Sequence, residues 1–142
     1  MKNKKGFTLM EMLIVVAIIA VLVAVAMPTV MNINEKSKES VDEANLRAAY
    51  AQILADSMLK TQNPPRNSDN GQISYDYDNA NSIFKAIITA QQKDPSGWVI
   101  NKGSKTTLIG SVYAVEAIAN PNKWTITCDI DNATVEIKPE NN

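Results

Sequence analysis

Few side chains in this sequence could carry chemistry, and those that could lie close together at the amino terminus. There is no histidine among the 142 residues and a single cysteine, Cys128. That excludes histidine-based acid–base catalysis, Ser-His-Asp and Cys-His nucleophiles, histidine-held metals, an intrachain disulfide and a cysteine-rich zinc site. Without a clear carboxylate pair either, the chain reads as a non-enzyme with no catalytic residue, metal or cofactor. What remains is Gly6, Phe7 and Glu11. Glu11 is the only charged residue in the 21-residue apolar stretch from Phe7 to Met27. An unpaired charge inside an apolar span costs about 3 kcal/mol. A backbone cut after Gly6 would create a partner for it, the α-amine of Phe7, which is mostly cationic at neutral pH. In a dry bundle of helices, that amine and a carboxylate from a neighbouring chain can neutralise one another.

The element that positions these groups follows from the same stretch. As a helix, Phe7–Met27 would be about 31 Å long at about 1.5 Å per residue, which matches a hydrocarbon core of about 30 Å. It is apolar on all sides, which suits a buried or membrane helix. Lys2, Lys4 and Lys5 precede it, and flanking positive charge holds that end on the cytoplasmic side. Three readings compete. The segment could be a plain signal anchor. It could be a secretory signal peptide cut near Ala24-Val25-Ala26, a small-residue site. It could instead lose only the leader 1–6 and keep the apolar helix. Glu11 favours the third, since neither an anchor nor a discarded signal needs a buried acid. Glu11 could also favour a helix N-terminus through the macrodipole, or pair with its own Phe7 amine. After Gly6 the chain carries 11 basic and 15 acidic side chains. That is no footprint for nucleic acid, which needs a basic face.

Beyond the stem, helical spacing predicts an amphipathic helix over 29–61. Leu46, Ala49, Tyr50 and Ile53 form its apolar stripe, widened by Leu54, Met58 and Leu59. The charges Glu35, Lys36, Lys38, Glu39, Asp42, Glu43 and Arg47 are expected to be solvated, with Glu35–Lys38 and Glu43–Arg47 as pairs. A breaker cluster, Asn63 to Gly71, ends this helix and opens a connecting region, 62–97. There Ile83, Phe84, Ile87 and Ile88 fall in helical phase, predicting a short helix over 80–92, and Asp94 to Gly97 reads as a turn. The remainder, 98–142, reads as strands: Trp98–Asn101, Thr107–Ile118 bent at Gly110, Trp124–Ile130 and Ala133–Ile137. The expectation is an α+β fold in which a long N-terminal helix packs on a C-terminal antiparallel sheet, with Cys128 as a small buried hydrophobe. Asp129 and Asp131, two apart near a turn, could supply oxygens to calcium, but are more simply solvated.

Gly6-Phe7-Thr8-Leu9-Met10-Glu11, preceded by lysines and followed by an unbroken apolar run, resembles the processing motif of type IV prepilins and their pseudopilin relatives. The resemblance covers about the first 28 residues. It implies cleavage by a prepilin peptidase between Gly6 and Phe7, methylation of the Phe7 amine, and an assembly role for Glu11. It places Pro28 where many members carry a helix-bending proline, although no glycine lies upstream of it in the stem. It divides the chain into a leader (1–6), a transmembrane and filament-core helix (7–28) and a pilin globular domain (29–142). The implied function is that of a structural subunit polymerised into a helical filament for surface motility, adhesion or aggregation. A pilus assembly ATPase and a membrane platform protein would be its partners. The precursor would sit in the cell membrane and the product on the cell surface. The lone cysteine precludes the disulfide of many Gram-negative pilins and fits Gram-positive ones better. A pseudopilin of a secretion or DNA-uptake system shares these features, and a membrane-anchored binding protein that never polymerises is the rival from another class.

Overall fold

The computed structural model describes residues 6–60, 66–68, 71–94, 106–110, 113–120 and 122–140. One helix, α1, runs from Leu9 to Leu59 and passes through Pro28 without a break. Pro28 has no N–H, so the Ala24 carbonyl lacks its usual intrahelical donor. The chain divides into two compact units, Met1–Asn34 and Glu35–Asn142.

In the first unit every described side chain, from Gly6 to Asn34, is exposed. The helix is long and apolar enough to cross a membrane. Side chains at i, i+3, i+4, i+7 and i+8 line shallow apolar grooves along it, one formed by Ile14, Ala17, Ile18, Val21 and Leu22. A second is formed by Val23, Ala26, Met27, Val30 and Met31. Small residues between large ones make holes of the kind that neighbouring helices fill with knobs.

The second unit is built on an antiparallel sheet of five strands in the order β1-β2-β3-β6-β7. Its strands are β1 (Arg66–Asn67), β2 (Ile73–Asp78), β3 (Ile83–Thr89), β6 (Lys123–Asp129) and β7 (Thr134–Glu140). Between β3 and β6 the chain makes a separate hairpin, β4 (Thr106–Ile109) with β5 (Tyr113–Glu116). Leu46, Ala49 and Ile53 of α1 are buried with Phe84, Ala86 and Ile88 of β3, Trp124, Ile126 and Cys128 of β6, and Ile109 and Val115 of the hairpin. The α+β expectation holds, since a long helix and an antiparallel sheet share one core, but three of the five strands, β1 to β3, come from the region 62–97 that was expected to be a connection to a sheet confined to 98–142.

Several local expectations are corrected. Residues 80–92 do not form a helix; their centre is strand β3. Phe84, Ala86 and Ile88 alternate into the core, while Ile83 and Ile87 lie only partly buried on the other face. The isoleucines fit both periods. Ladders with β2 and β6 on either side satisfy the backbone of β3 and decide for strand. The stretch 107–118 is not one bent strand but the β4–β5 hairpin, turning at Gly110. Met58 and Leu59 do not widen the apolar stripe; they are 78% and 75% exposed at the helix end. The strand expected at Trp98–Asn101 and the turn residues Pro95–Gly97 lie outside the described residues.

Gly110 shows what the hairpin requires. Its φ is +61°, and an added Cβ would lie 2.6 to 2.8 Å from ring atoms of Tyr50. Tyr50 is flanked by Tyr113, with ring centroids 5.8 Å apart. Left-handed strain of about 1–2 kcal/mol and overpacking of about 1–3 kcal/mol then act together. Gly110→Ala is expected to destabilise the second unit by about 2–4 kcal/mol, read as a lower urea midpoint; an unchanged midpoint would refute the close approach.

Candidate functional site

The amino-terminal residues adopt a specific helix start. Gly6, Phe7 and Thr8 precede α1. The Thr8 N–H donates to Glu11 Oε2 at 2.8 Å, and the Glu11 N–H donates to Thr8 Oγ1 at 3.3 Å. This reciprocal pair is a capping box, Thr-x-x-Glu, which satisfies two of the donors left free at a helix start. Sequence reasoning considered the macrodipole and the Phe7 amine for Glu11 and missed this third role, although the Thr8-x-x-Glu11 spacing was visible. The cap commits one carboxylate oxygen of Glu11; the other is open among the described residues. Phe7, at the candidate cleavage point, is exposed. Gly6, Phe7 and Glu11 therefore lie together at the exposed start of an exposed apolar helix.

A second cluster was not foreseen. The acids of α1 expected to be solvated include three that are buried: Glu39, Asp42 and Glu43. The expected pairs do form. Lys38 Nζ lies 3.5 Å from Glu35, and Arg47 pairs with Glu43. Asp42 is fully buried and accepts N–H bonds from Gln91, at 3.0 and 2.8 Å to its two oxygens, and from Gln92, at 3.0 Å. Burial, and then repulsion from Glu35 and Glu39, push its carboxyl up to about 6, against the lowering effect of the Gln92 and Gln91 N–H bonds. Glu35 behaves in the opposite way. Desolvation raises its carboxyl, but the N–H groups of Lys93 and Asp94 and the Lys38 ammonium together hold it below its ordinary range. The missed signal was spacing: Glu39, Asp42 and Glu43 continue the stripe of Leu46, Ala49 and Ile53 by one and two turns.

Near the turn after β6, Asp129 caps its own loop. It accepts the Asn132 N–H at 3.0 Å and the Asn132 Nδ2–H at 2.8 Å, and these bonds lower its carboxyl. Among the described residues, no group of three or more acids or cysteines is arranged to hold a metal.

Comparison with known proteins bears on the first of these clusters. Residues 1–27 match the family model described as the prokaryotic N-terminal methylation motif. The type IV major pilin protein PilA of Myxococcus xanthus is 48% identical over 48 residues, which is 34% of this chain and 22% of that protein. The type IV wide pilus major component PilA4 of Thermus thermophilus is 47% identical over 49 residues, 34% of this chain and 37% of that protein. The alignments thus span about a fifth and about a third of the relatives. No solved structure matches the chain. The capped, acid-bearing apolar helix is the part of the molecule that these likenesses describe, and the chain carries a prokaryotic N-terminal methylation motif at the head of an α+β fold.

Proposed function

We infer that this chain is a structural subunit of a type IV pilus. The observation that carries the reading is an exposed apolar stem with a single acid, Glu11, starting at a methylation motif. In this reading the precursor sits in the cell membrane with its second unit outside. A prepilin peptidase cuts between Gly6 and Phe7, and the Phe7 amine is methylated. The stem then leaves lipid for a bundle of identical stems, driven by an assembly ATPase and a membrane platform protein. Glu11 balances the Phe7 amine of a neighbour, and Pro28 gives the stem a bend. The work of the molecule is assembly, and no enzymatic step is assigned to it. The pilus is favoured over the pseudopilus because both matched relatives are named as major components of pili.

The intact mass and first residue of the protein recovered from its native membrane test this reading. A chain beginning at methylated Phe7 is expected, together with long surface filaments that disappear when the subunit is deleted. A chain beginning at Met27 would identify an ordinary secreted protein, and an uncut chain beginning at Met1 a simple anchor.

A further inference from the structure

The face of the five-stranded sheet turned away from the core carries polar groups of its own. Along β6, Trp124, Ile126 and Cys128 enter the core. Thr125 and Thr127 alternate with them and therefore stand on the opposite face. Thr125 lies between Ile87 of β3 and Lys138 of β7, and Thr127 between Lys85 and Glu136. Lys85, Thr125, Thr127, Glu136 and Lys138, with Pro139 and Glu140 at the end of β7, line a pocket of about 220 Å³. Strand β7 is the last of the sheet, so the pocket sits at the sheet's edge.

One group lining this pocket is unsatisfied. Thr125 is only 7% exposed, and its Oγ1 is buried without a hydrogen-bond partner among the described residues. On a solvated strand face a threonine hydroxyl ordinarily has water. Here the neighbouring side chains cover it. Buried polar groups in folded proteins nearly always have a partner, and the pocket is the route by which one reaches Thr125.

We propose that this pocket binds a small, neutral, hydroxyl-rich ligand about the size of one sugar ring, with the Thr125 hydroxyl as one of its partners. The lining selects that class. Its ammonium groups, on Lys85 and Lys138, are matched by the carboxylates of Glu136 and Glu140. The pocket as a whole therefore favours neither an anion nor a cation. Lys138 and Glu136 already neutralise one another, with Nζ 2.7 Å from Oε1. An anion would find Lys138 taken and Glu136 repelling it. An amino acid would need an unpaired cation and an unpaired acid side by side, and this close pair is mutual. What the pair does offer is N–H donors beside a carboxylate acceptor. Adjacent hydroxyls on a sugar each donate and accept, so they match both without displacing either. Pro139, the threonine methyls and the stem of Lys85 supply apolar surface for the C–H groups of a ring. The volume is below the roughly 300–1,000 Å³ of sites for drug-sized ligands and far above the room that one water needs. The pocket lies wholly in the second unit, and polymerisation through the stem is not needed to fill it.

The test uses the full chain in micelles of a detergent without a sugar headgroup, with backbone amides followed by NMR. Glucose, galactose and N-acetylglucosamine are titrated separately at millimolar concentrations, and acetate and glycine are the charged controls. At least one sugar should give saturable shifts confined to Lys85, Thr125, Thr127, Lys138 and their strand neighbours, and the controls should give none there. Thr125→Val keeps the β-branched shape and removes the hydroxyl. It should weaken the binding about fivefold, the loss of one neutral hydrogen bond. Because that hydroxyl has no partner in the free chain, the urea midpoint should stay or rise. Lys138→Met, which breaks the donor–acceptor pair, should weaken binding about tenfold. Silence with all three sugars, shifts at these amides with acetate or glycine instead, or undiminished binding in both variants would overturn the site. A lower urea midpoint in Thr125→Val would do so as well, by showing that the hydroxyl is already bonded within the fold.

Discussion

Replacing Glu11 by glutamine should reduce filament yield by about two orders of magnitude, while membrane insertion and removal of the leader stay normal. The size follows from the cost of a buried unpaired charge, about 3 kcal/mol, with each 1.4 kcal/mol worth about tenfold. Moving an apolar stem from lipid into a helix bundle gains little hydrophobic free energy, because lipid tails are as apolar as leucine. Packing and polar pairing must then supply the difference. Glutamine is the informative substitute because it retains the capping box with Thr8, which accepts either Glu or Gln at that position. Only the charge is lost, and in the proposed filament the Phe7 amine of the neighbour would be left buried without a counter-ion. Thr8→Ala is the complement. It removes the cap, at a cost of about 0.5–2 kcal/mol at the helix start, and leaves the charge in place, so assembly should persist. Sheared filaments are compared with the membrane fraction by immunoblot. Normal filaments from Glu11→Gln, or their loss in Thr8→Ala alone, would show that Glu11 acts as a local cap and not between subunits.

The second large effect belongs to the globular unit. Trp124 is completely buried, and its Nε1–H donates to the Glu116 carbonyl at 2.8 Å. It sits on β6, where it pairs with Ile88 of β3 and Pro139 of β7, while its indole reaches β5 of the separate hairpin. One side chain thus joins the sheet to the hairpin. Trp124→Ala should cost about 3–5 kcal/mol, a large share of the roughly 5–15 kcal/mol available to a domain of this size. Trp124→Phe keeps most of the volume and leaves the Glu116 carbonyl without its donor, at about 1–3 kcal/mol. Pulse proteolysis of the full chain across a urea series measures both. Equal midpoints for the two variants would mean that the hydrogen bond carries the effect and the packing does not.

The residues themselves settled a good deal. An unbroken apolar run of helical length can be satisfied only by lipid or by other apolar helices, so the exposed apolar stem was legible without coordinates. The alternation of Trp124, Ile126 and Cys128 could face only one core, and it does. Tertiary structure decided the rest wherever one pattern suited two partners. Ile83, Phe84, Ile87 and Ile88 fit a helix as well as a strand, and only the ladders on both sides of β3 made it a strand. The stretch around Gly110 folds back on itself at a positive φ, and a side chain there would meet the ring of Tyr50. The acids at 39, 42 and 43 looked solvated because charge ordinarily seeks water. They are buried because the Ala90–Asp94 backbone comes down on that helix face, and two of its N–H groups need the oxygens of Asp42. Local composition can reveal an unpaired charge, but only the assembled chain shows which distant backbone will meet it.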